Sequence, residues 1–347
     1  MTVLTRPIEF TVPDSGIAIS PAEYRGSGRD DVRLMVTRRS SMSIEHDSFL
    51  RLGRHLSPGD VVVVNTSATV PAAVDGWTRG GRRLKVHFAS PAAGGLWAVE
   101  VRAPIEAGGT EPGPALEPQT LQLAGGASAH LLAPSPRTPR LWVAAIESDV
   151  EVVSYLQANG EPIRYVSGTT WPISAYQTIF ATELGSAEMP SAGRPFTPDQ
   201  VTRLVANGVA VVPIVLHAGV SSYEEGESPG EERYEVPAAT ATALNALRAQ
   251  GGKVIAVGTT VVRALESVVD RTGTIHPGAG ITDLIVTRQR GVRAVDGLLT
   301  GWHEPRSSHL RLLEALLPAE HLEVVYQEAA AAGYLWHEFG DELLILP

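Results

Sequence analysis

The stretch KVIAVGTTVVRALES, Lys253 to Ser267, decides the fold. Val254 to Val257 is an unbroken apolar run that reads as a strand. Gly258 ends it, two threonines follow, and Val261 to Val269 carries a helical pattern. A strand feeding a helix through one glycine is the repeating unit of α/β proteins. The same turn gathers free backbone N–H groups and the hydroxyls of Thr259 and Thr260 at one point. A helix N-terminus carries partial positive charge, so the point suits an anionic or hydroxyl-rich ligand. A threonine there is also expected to cap the helix. Downstream, VDGLLTGWHEPRSS (Val295 to Ser308) sets Asp296, His303 and Arg306 close in sequence among small residues, a candidate polar site.

Working outward, the α/β pattern extends both ways. Thr197-Pro198-Asp199-Gln200 opens a helix with a threonine cap, a proline in the first turn and a Gln three residues after the cap. Val209 to Leu216 follows as a strand, with Pro213 implying an edge or a bulge. Pro237 to Gln250 reads as a helix, Ile281 to Val286 as a strand, Leu310 to Leu317 and His321 to Ala332 as helices, and Glu342 to Leu346 as a last strand. Toward the N-terminus, Val32 to Thr37 reads as a strand and Asp47 to Leu56 as a short helix. VVVVN (Val61 to Asn65) fits a strand buried on both faces. The alternation predicts a largely parallel sheet.

Between Pro71 and Ser148 the helical period disappears. RRLKVHFAS, LWAVEVRA, LQLAGG, SAHLLA and LWVAAIE recur with turn signals between them, which predicts a small β-barrel or sandwich inserted into the α/β part. The expected division is therefore 1–70 and 149–347 as a discontinuous α/β catalytic domain, with 71–148 as the insert.

Composition narrows the chemistry. The chain has 347 residues, 44% hydrophobic and 19% charged, ordinary for a soluble globular protein with room for two domains. It has no cysteine, which removes disulfides, thiolate metal sites and cysteine nucleophiles. No run is long enough to span a bilayer, so no membrane partner and a cytoplasmic location are expected. The net charge of -10 argues against a generally basic nucleic-acid surface; local basic clusters stand at Arg79, Arg82, Arg83 and Lys85, and at Arg288, Arg290 and Arg293. There is no GxxxxGK[ST] loop, no GxGxxG after a strand, no HExxH and no Gly-x-Ser-x-Gly elbow. The ten histidines show no metal-ligand spacing, so no metal is expected, and His309 is expected as a surface or hydrogen-bonded histidine.

Nine segments, in order, resemble one family. They are RLMV (Arg33 to Val36), SIEHDSF (Ser43 to Phe49), LSPGDVVVVN (Leu56 to Asn65), YQTIFA (Tyr176 to Ala181), PSAG (Pro190 to Gly193), LHAG (Leu216 to Gly219), VGTTVVRALES (Val257 to Ser267), VDGLLTGWHEPRSS and FGDELLI (Phe339 to Ile345). On these the chain resembles the S-adenosylmethionine:tRNA ribosyltransferase-isomerases of queuosine biosynthesis. The resemblance implies an α/β domain with an inserted antiparallel β-barrel. It implies S-adenosylmethionine as a ribosyl-donating substrate and tRNA bearing preQ1, a 7-deazaguanine base, as acceptor. The product is epoxyqueuosine, and adenine and methionine leave. A monomer is expected.

That chemistry needs a base beside the sulfonium, expulsion of adenine and attack by the preQ1 amine, with water excluded. The resemblance makes His217 and His303 candidate acid/base residues, with Asp296 accepting from an amine or ribose hydroxyl. Gly258, Thr259, Thr260, Arg263 and Gly219 become candidates for holding the ribose or methionine carboxylate, and Glu232, Tyr176 and Arg306 for binding the acceptor. A plainer alternative makes Arg263 and Glu266 an ordinary pair on the helix surface.

The chain also departs from the family's pattern. NTSATVPAAV carries Ala68 and Ala73 where the family has arginines, PSAGRPF has Pro195 for a histidine, HAGVSSY has Ser221 for a glycine, and Trp302 stands for phenylalanine. The paired histidines before Glu-x-Tyr are missing from ESPGEERYEV, where Glu232 holds the acidic position. Loss of bidentate cations bears on phosphate or carboxylate binding. The alternative expectation is therefore a diverged enzyme on the same scaffold, using S-adenosylmethionine or a related nucleoside with a non-tRNA small-molecule acceptor.

Overall fold

The structure, a computed structural model, describes residues 8–12, 16–106, 108–165, 168–220, 230–305 and 307–347. Its centre is the strand Val61–Asn65, all five residues buried. Val61 and Val63 pack into one apolar cluster and Val62 and Val64 into another, so the strand is covered on both faces. It pairs in parallel with Ala210–Leu216 on one side and Val254–Val257 on the other. Val254–Val257 then pairs in parallel with Gly297–Gly301.

Nine strands make this sheet. The parallel expectation holds at its centre, and the flanks bring in antiparallel pairs. Gly297–Gly301 runs antiparallel to Glu342–Leu346, which is parallel to Arg33–Arg38, and Ser43–Ser48 closes that side as an antiparallel edge. On the other side Glu232–Val236 and Gly278–Thr282 add antiparallel strands. Two sequence expectations change here. The strand expected over 281–286 is Gly278–Thr282, and the helix expected over 47–56 is the strand Ser43–Ser48 followed by the 3-10 helix Phe49–Arg54, whose start Ser48 caps. Pro213 lies inside a strand with a neighbour on each side. It is tolerated because the ladder to Glu232–Val236 begins only at Val215.

Helices cover both faces. Ala238–Ala249, Thr259–Val268, Ser308–Leu313 and Ala319–Ala331 contribute to one apolar cluster, and Pro198–Ala206 with Phe49, Leu52 and Phe196 to the other. Thr197 caps Pro198–Ala206 as the sequence predicts, accepting from the Gln200 N–H.

The second sheet spans Ala73 to Glu147. Six strands, Ala73–Trp77, Arg83–Pro91, Trp97–Pro104, Gln119–Leu123, Ser128–Pro134 and Leu141–Glu147, close into an antiparallel barrel, because the last pairs back on Trp97–Pro104. Short Thr110–Pro112 attaches outside the ring, antiparallel to Trp97–Pro104. Ile163 completes the barrel core after the chain leaves it, and Tyr165 packs against that core. These two residues bring the barrel side to the sheet's C-terminal edge.

Candidate functional site

The parallel strands all end at one edge, where α/β sheets form ligand crevices. At that edge lies a cavity of ≈ 550 Å³. Its floor is the turn Gly258–Thr260 and the loop Trp302–His303. One wall is Ile163, Tyr165 and Glu188. The other comes from Phe10, Trp336, His337 and Glu338. Trp302 and Trp336 lie 5.3 Å apart, giving an aromatic patch suited to a flat base.

Gly258 begins the helix Thr259–Val268 at φ 87°, ψ 156°. A Cβ there would meet nothing nearer than 3.5 Å, so glycine answers the backbone angle and not a shortage of space. The expected threonine cap is absent: Thr259 is already helical, and no side chain caps this end. The first N–H groups of the helix are therefore left for a ligand or solvent. Thr260 Oγ accepts from Asn65 Nδ2 at 3.3 Å, and Asn65 also donates to the Leu216 carbonyl at 2.8 Å. Asn65 thus ties the ends of two parallel strands to the helix start.

Arg263 is not a surface residue. It pairs with Glu232, and its Nε donates to Leu284 O at 3.1 Å while Nη2 reaches Gly230 O and Thr282 O, each at 3.3 Å. Glu232 in turn accepts from the Gly219 N–H at 3.1 Å. Glu266, the partner that helix spacing offers, pairs with Arg290 at 2.5 Å and accepts the N–H groups of Arg293 and Ala294. The surface pair Arg263–Glu266 is thereby excluded, since both side chains are buried and each has a different partner.

His303 lies in the loop past the strand Gly297–Gly301 and bonds Thr300 Oγ through Nε2 at 2.9 Å. Its ring stacks on His309, centroids 4.8 Å apart and planes at 12°. His309, at the start of the helix Ser308–Leu313, is half-buried and lines the cavity beside His303. Burial holds both imidazoles neutral. It pulls His309 down to about 4 and, with His309 as neighbour, His303 well below the usual value.

His217 sits one residue before the cavity-lining Ala218, against Gly185, where a Cβ would come within 2.5 Å of its ring. Its Nδ1 is 2.7 Å from Ser67 Oγ, which is 2.6 Å from Ser186 Oγ, which accepts from the Ala218 N–H at 3.0 Å. Both serines are fully buried, so every hydroxyl hydrogen needs an acceptor. Only one direction uses both: Ser186 donates to Ser67, and Ser67 to Nδ1. The imidazole is then the Nε2–H tautomer, a donor, and burial with Arg233 nearby lowers its pKa to about 4.

Of the residues singled out from sequence, the structure gathers Gly258, Thr259, Thr260, Arg263, Glu232 and His303 around one cavity, with Gly219 bonded to Glu232. Asp296 is placed elsewhere. Its carboxylate accepts from the Val254 N–H at 2.8 Å and pairs with Arg248 at 3.6 Å, at the start of the strands whose far ends carry Gly258 and His303. It stands seven positions before His303, and with a rise of about 3.3 Å per residue the strand Gly297–Gly301 between them holds the two side chains too far apart to meet. Tyr176 is buried against Phe339, ring centroids 5.3 Å apart, and lines a small neighbouring cavity of ≈ 30 Å³ with Tyr165, His337 and Glu338. Arg306 and Ser221 lie outside the described residues. Ala68 and Ala73 are buried, Ala73 in the barrel core.

Sequence reasoning missed Tyr165, Glu188, His337 and Glu338 on the cavity wall. Tyr165 donates to Glu188 at 2.7 Å. His337 has φ 83°, unusual for a non-glycine residue and the one local mark of a constrained position. Elsewhere, Arg83 and Lys85 pair with Asp75, so that basic cluster is partly neutralised. Among the described residues Glu45, Asp47 and His55 could hold a metal ion, but Asp47 is engaged by Arg51 and His55 on the edge strand. No helix among the described residues is long and apolar enough to cross a membrane.

The fold and cavity define a protein of a mixed α/β sheet joined to a closed six-stranded barrel, with a ligand-sized cavity where the two meet. The family profile described as queuosine biosynthesis protein matches residues 5–345, and the chain belongs to that family. It is 34% identical to the S-adenosylmethionine:tRNA ribosyltransferase-isomerase of Moorella thermoacetica over 97% of this chain and 98% of that protein. The protein of the same name from Symbiobacterium thermophilum is also 34% identical, over 97% and 98%. A crystal structure of S-adenosylmethionine tRNA ribosyltransferase from Thermotoga maritima aligns with a TM-score of 0.55 and 27% identity, covering 98% of this chain and 99% of that one.

Proposed function

We propose that this chain transfers and isomerises the ribosyl moiety of S-adenosylmethionine onto preQ1 in tRNA, giving epoxyqueuosine and releasing adenine and methionine. The observation that carries the reading is the match to the named relatives along nearly the whole chain. The cavity supports it with parts suited to a sulfonium nucleoside. The uncapped helix start at Thr259 favours a carboxylate or ribose hydroxyls, and the Trp302–Trp336 patch favours adenine.

His303 and His217 enter as neutral hydrogen-bonding groups. Arg263 acts by holding Glu232 and the wall, since its donors are taken up within the protein. The reading calls for no resident metal and treats the chain as a cytoplasmic monomer, with 71–148 as an inserted domain in an α/β domain of 1–70 and 149–347. Purified protein given S-adenosylmethionine and preQ1-bearing tRNA should release adenine and form epoxyqueuosine, and should release none without tRNA. Adenine release with a small acceptor and no tRNA would transfer the assignment to a different acceptor. No release from folded protein would sink it.

A further inference from the structure

Beside the cavity stands a hydrogen-bond donor with nothing in the protein to donate to. His217 continues the antiparallel pairing of Ala210–Leu216 with Glu232–Val236, its backbone N–H donating to the Arg233 carbonyl at 2.9 Å. Leu216 and Tyr234, the pair before, turn toward the apolar core. Side chains alternate along paired strands, so His217 and Arg233 stand side by side on the opposite face. The Nδ1 edge of the imidazole is closed. Ser67 Oγ lies 2.7 Å from Nδ1, Ser186 Oγ stands 2.6 Å behind Ser67, and a Cβ at Gly185 would come within 2.5 Å of the ring. The residue is half-buried, and Nε2 is the edge left open.

The serine chain runs one way only, from Ser186 to Ser67 to Nδ1. Reversing it would leave a fully buried hydroxyl hydrogen without an acceptor, so Nε2 carries the ring hydrogen. Arg233 is exposed, and among the described residues its guanidinium makes no hydrogen bond or ion pair. Glu235 lies along the same strand without pairing with it, and Glu231 is taken by Arg137 at 3.4 Å. A fixed N–H donor beside an unpaired guanidinium suits an oxyanion, which can accept from both. Burial, and then the Arg233 charge, pull the His217 pKa down to about 4, so the ring donates as a neutral group.

We propose that His217 Nε2 and Arg233 form a phosphate subsite for the backbone of the tRNA substrate, with Ser67 and Ser186 as positioning residues that hold His217 as a donor. The identity of the ligand rests on the proposed reaction. A tRNA that places one base in the cavity must lay its backbone along the cavity's margin, and Ala218, the residue after His217, lines that cavity. Contacts of this kind fix the register of a nucleic acid without reading its sequence. The assignment takes His217 out of proton transfer: Nδ1 is filled by Ser67, Nε2 keeps its hydrogen, and no bond to His217 forms or breaks.

The test joins a tautomer measurement to binding, on the full chain. In protein labelled with 15N at histidine, the His217 signals, assigned by their loss in His217→Gln, should show Nε2 protonated and Nδ1 bare at neutral pH. Ser67→Ala should abolish that preference. Protonated Nδ1 in wild type overturns the proposal. Binding is measured with preQ1-bearing tRNA in the absence of S-adenosylmethionine, so nothing turns over. Arg233→Gln, at an exposed position, should raise the Kd for tRNA several-fold and flatten the slope of log Kd against log salt by about one unit, the loss of one phosphate contact. Arg233→Lys should restore the slope, and the Kd for S-adenosylmethionine should not change in either variant. An unchanged slope in Arg233→Gln overturns the proposal, as does inorganic phosphate moving the His217 signals while tRNA leaves them in place. Wild type that modifies tRNA while Arg233→Gln binds tRNA equally well sinks the subsite alone. Wild type that binds tRNA but releases no adenine when S-adenosylmethionine is added sinks the reaction, and the salt slope still decides the subsite. Wild type that binds no tRNA ends both.

Discussion

Glu232 and Glu338 line one cavity, yet their surroundings are opposite. At the sheet end Glu232 accepts from the Gly219 N–H and from Arg263, which is itself fastened to three carbonyls. On the wall formed with Phe10, Trp336 and His337, burial and then the Glu188 charge push the Glu338 carboxyl up to about 8, while Arg194, which pulls the other way, is bound to Glu23. The first arrangement closes a wall of the molecule. The second keeps a carboxyl protonated at a cost in stability, as functional sites do. The comparison separates a carboxylate that holds the cavity in shape from a carboxyl that burial keeps protonated.

The strongest way to break this contrast is Arg263→Ala. It leaves Glu232 buried without its cation, and removing one partner of a buried pair costs about 3–5 kcal/mol. Urea unfolding should show that loss as a lower midpoint. A change under about 1 kcal/mol would mean that Glu232 is hydrated and that the sheet-end wall is not a closed network.

The opposite end predicts the opposite sign. An unfolded glutamate releases its proton near 4.5, whereas Glu338 keeps its proton to about 8. Between those values the unfolded chain binds fewer protons, so stability falls as pH rises, by at most about 1.4 kcal/mol per pH unit for one group. Glu338→Gln removes that slope. The variant should match wild type at pH 4 and melt higher at pH 8. Equal melting temperatures at pH 8 would sharpen the contrast differently, placing the Glu338 charge in solvent.

The parts legible in the sequence are those with local causes. Val254–Val257, the Thr197 cap and the doubly buried Val61–Asn65 follow from periodicity and capping within a few residues. The barrel follows from short strands and turns, though Ala73–Trp77 escaped notice because it is only five residues long and alternates weakly. Gly258, Thr259, Thr260, Arg263, Glu232 and His303 meet because their segments end at the same edge of the sheet. Asp296 misled because nearness in sequence was taken for nearness in space, and a full strand lies between it and His303. Glu188 and Glu338 were invisible for the converse reason. They stand 150 positions apart in irregular segments, and a lone glutamate in a loop reads as a solvated charge until the fold removes its water. Ser67 and Ser186 set the tautomer of His217 across a similar gap, with no motif to announce them.

The most direct test of the account is a crystal structure with S-adenosylmethionine bound. The account predicts ligand density inside the cavity between Gly258–Thr260, His303 and Glu338, with the adenine against Trp302 or Trp336. Density for the ligand elsewhere on the protein, with this cavity unfilled at saturating concentration, would contradict it.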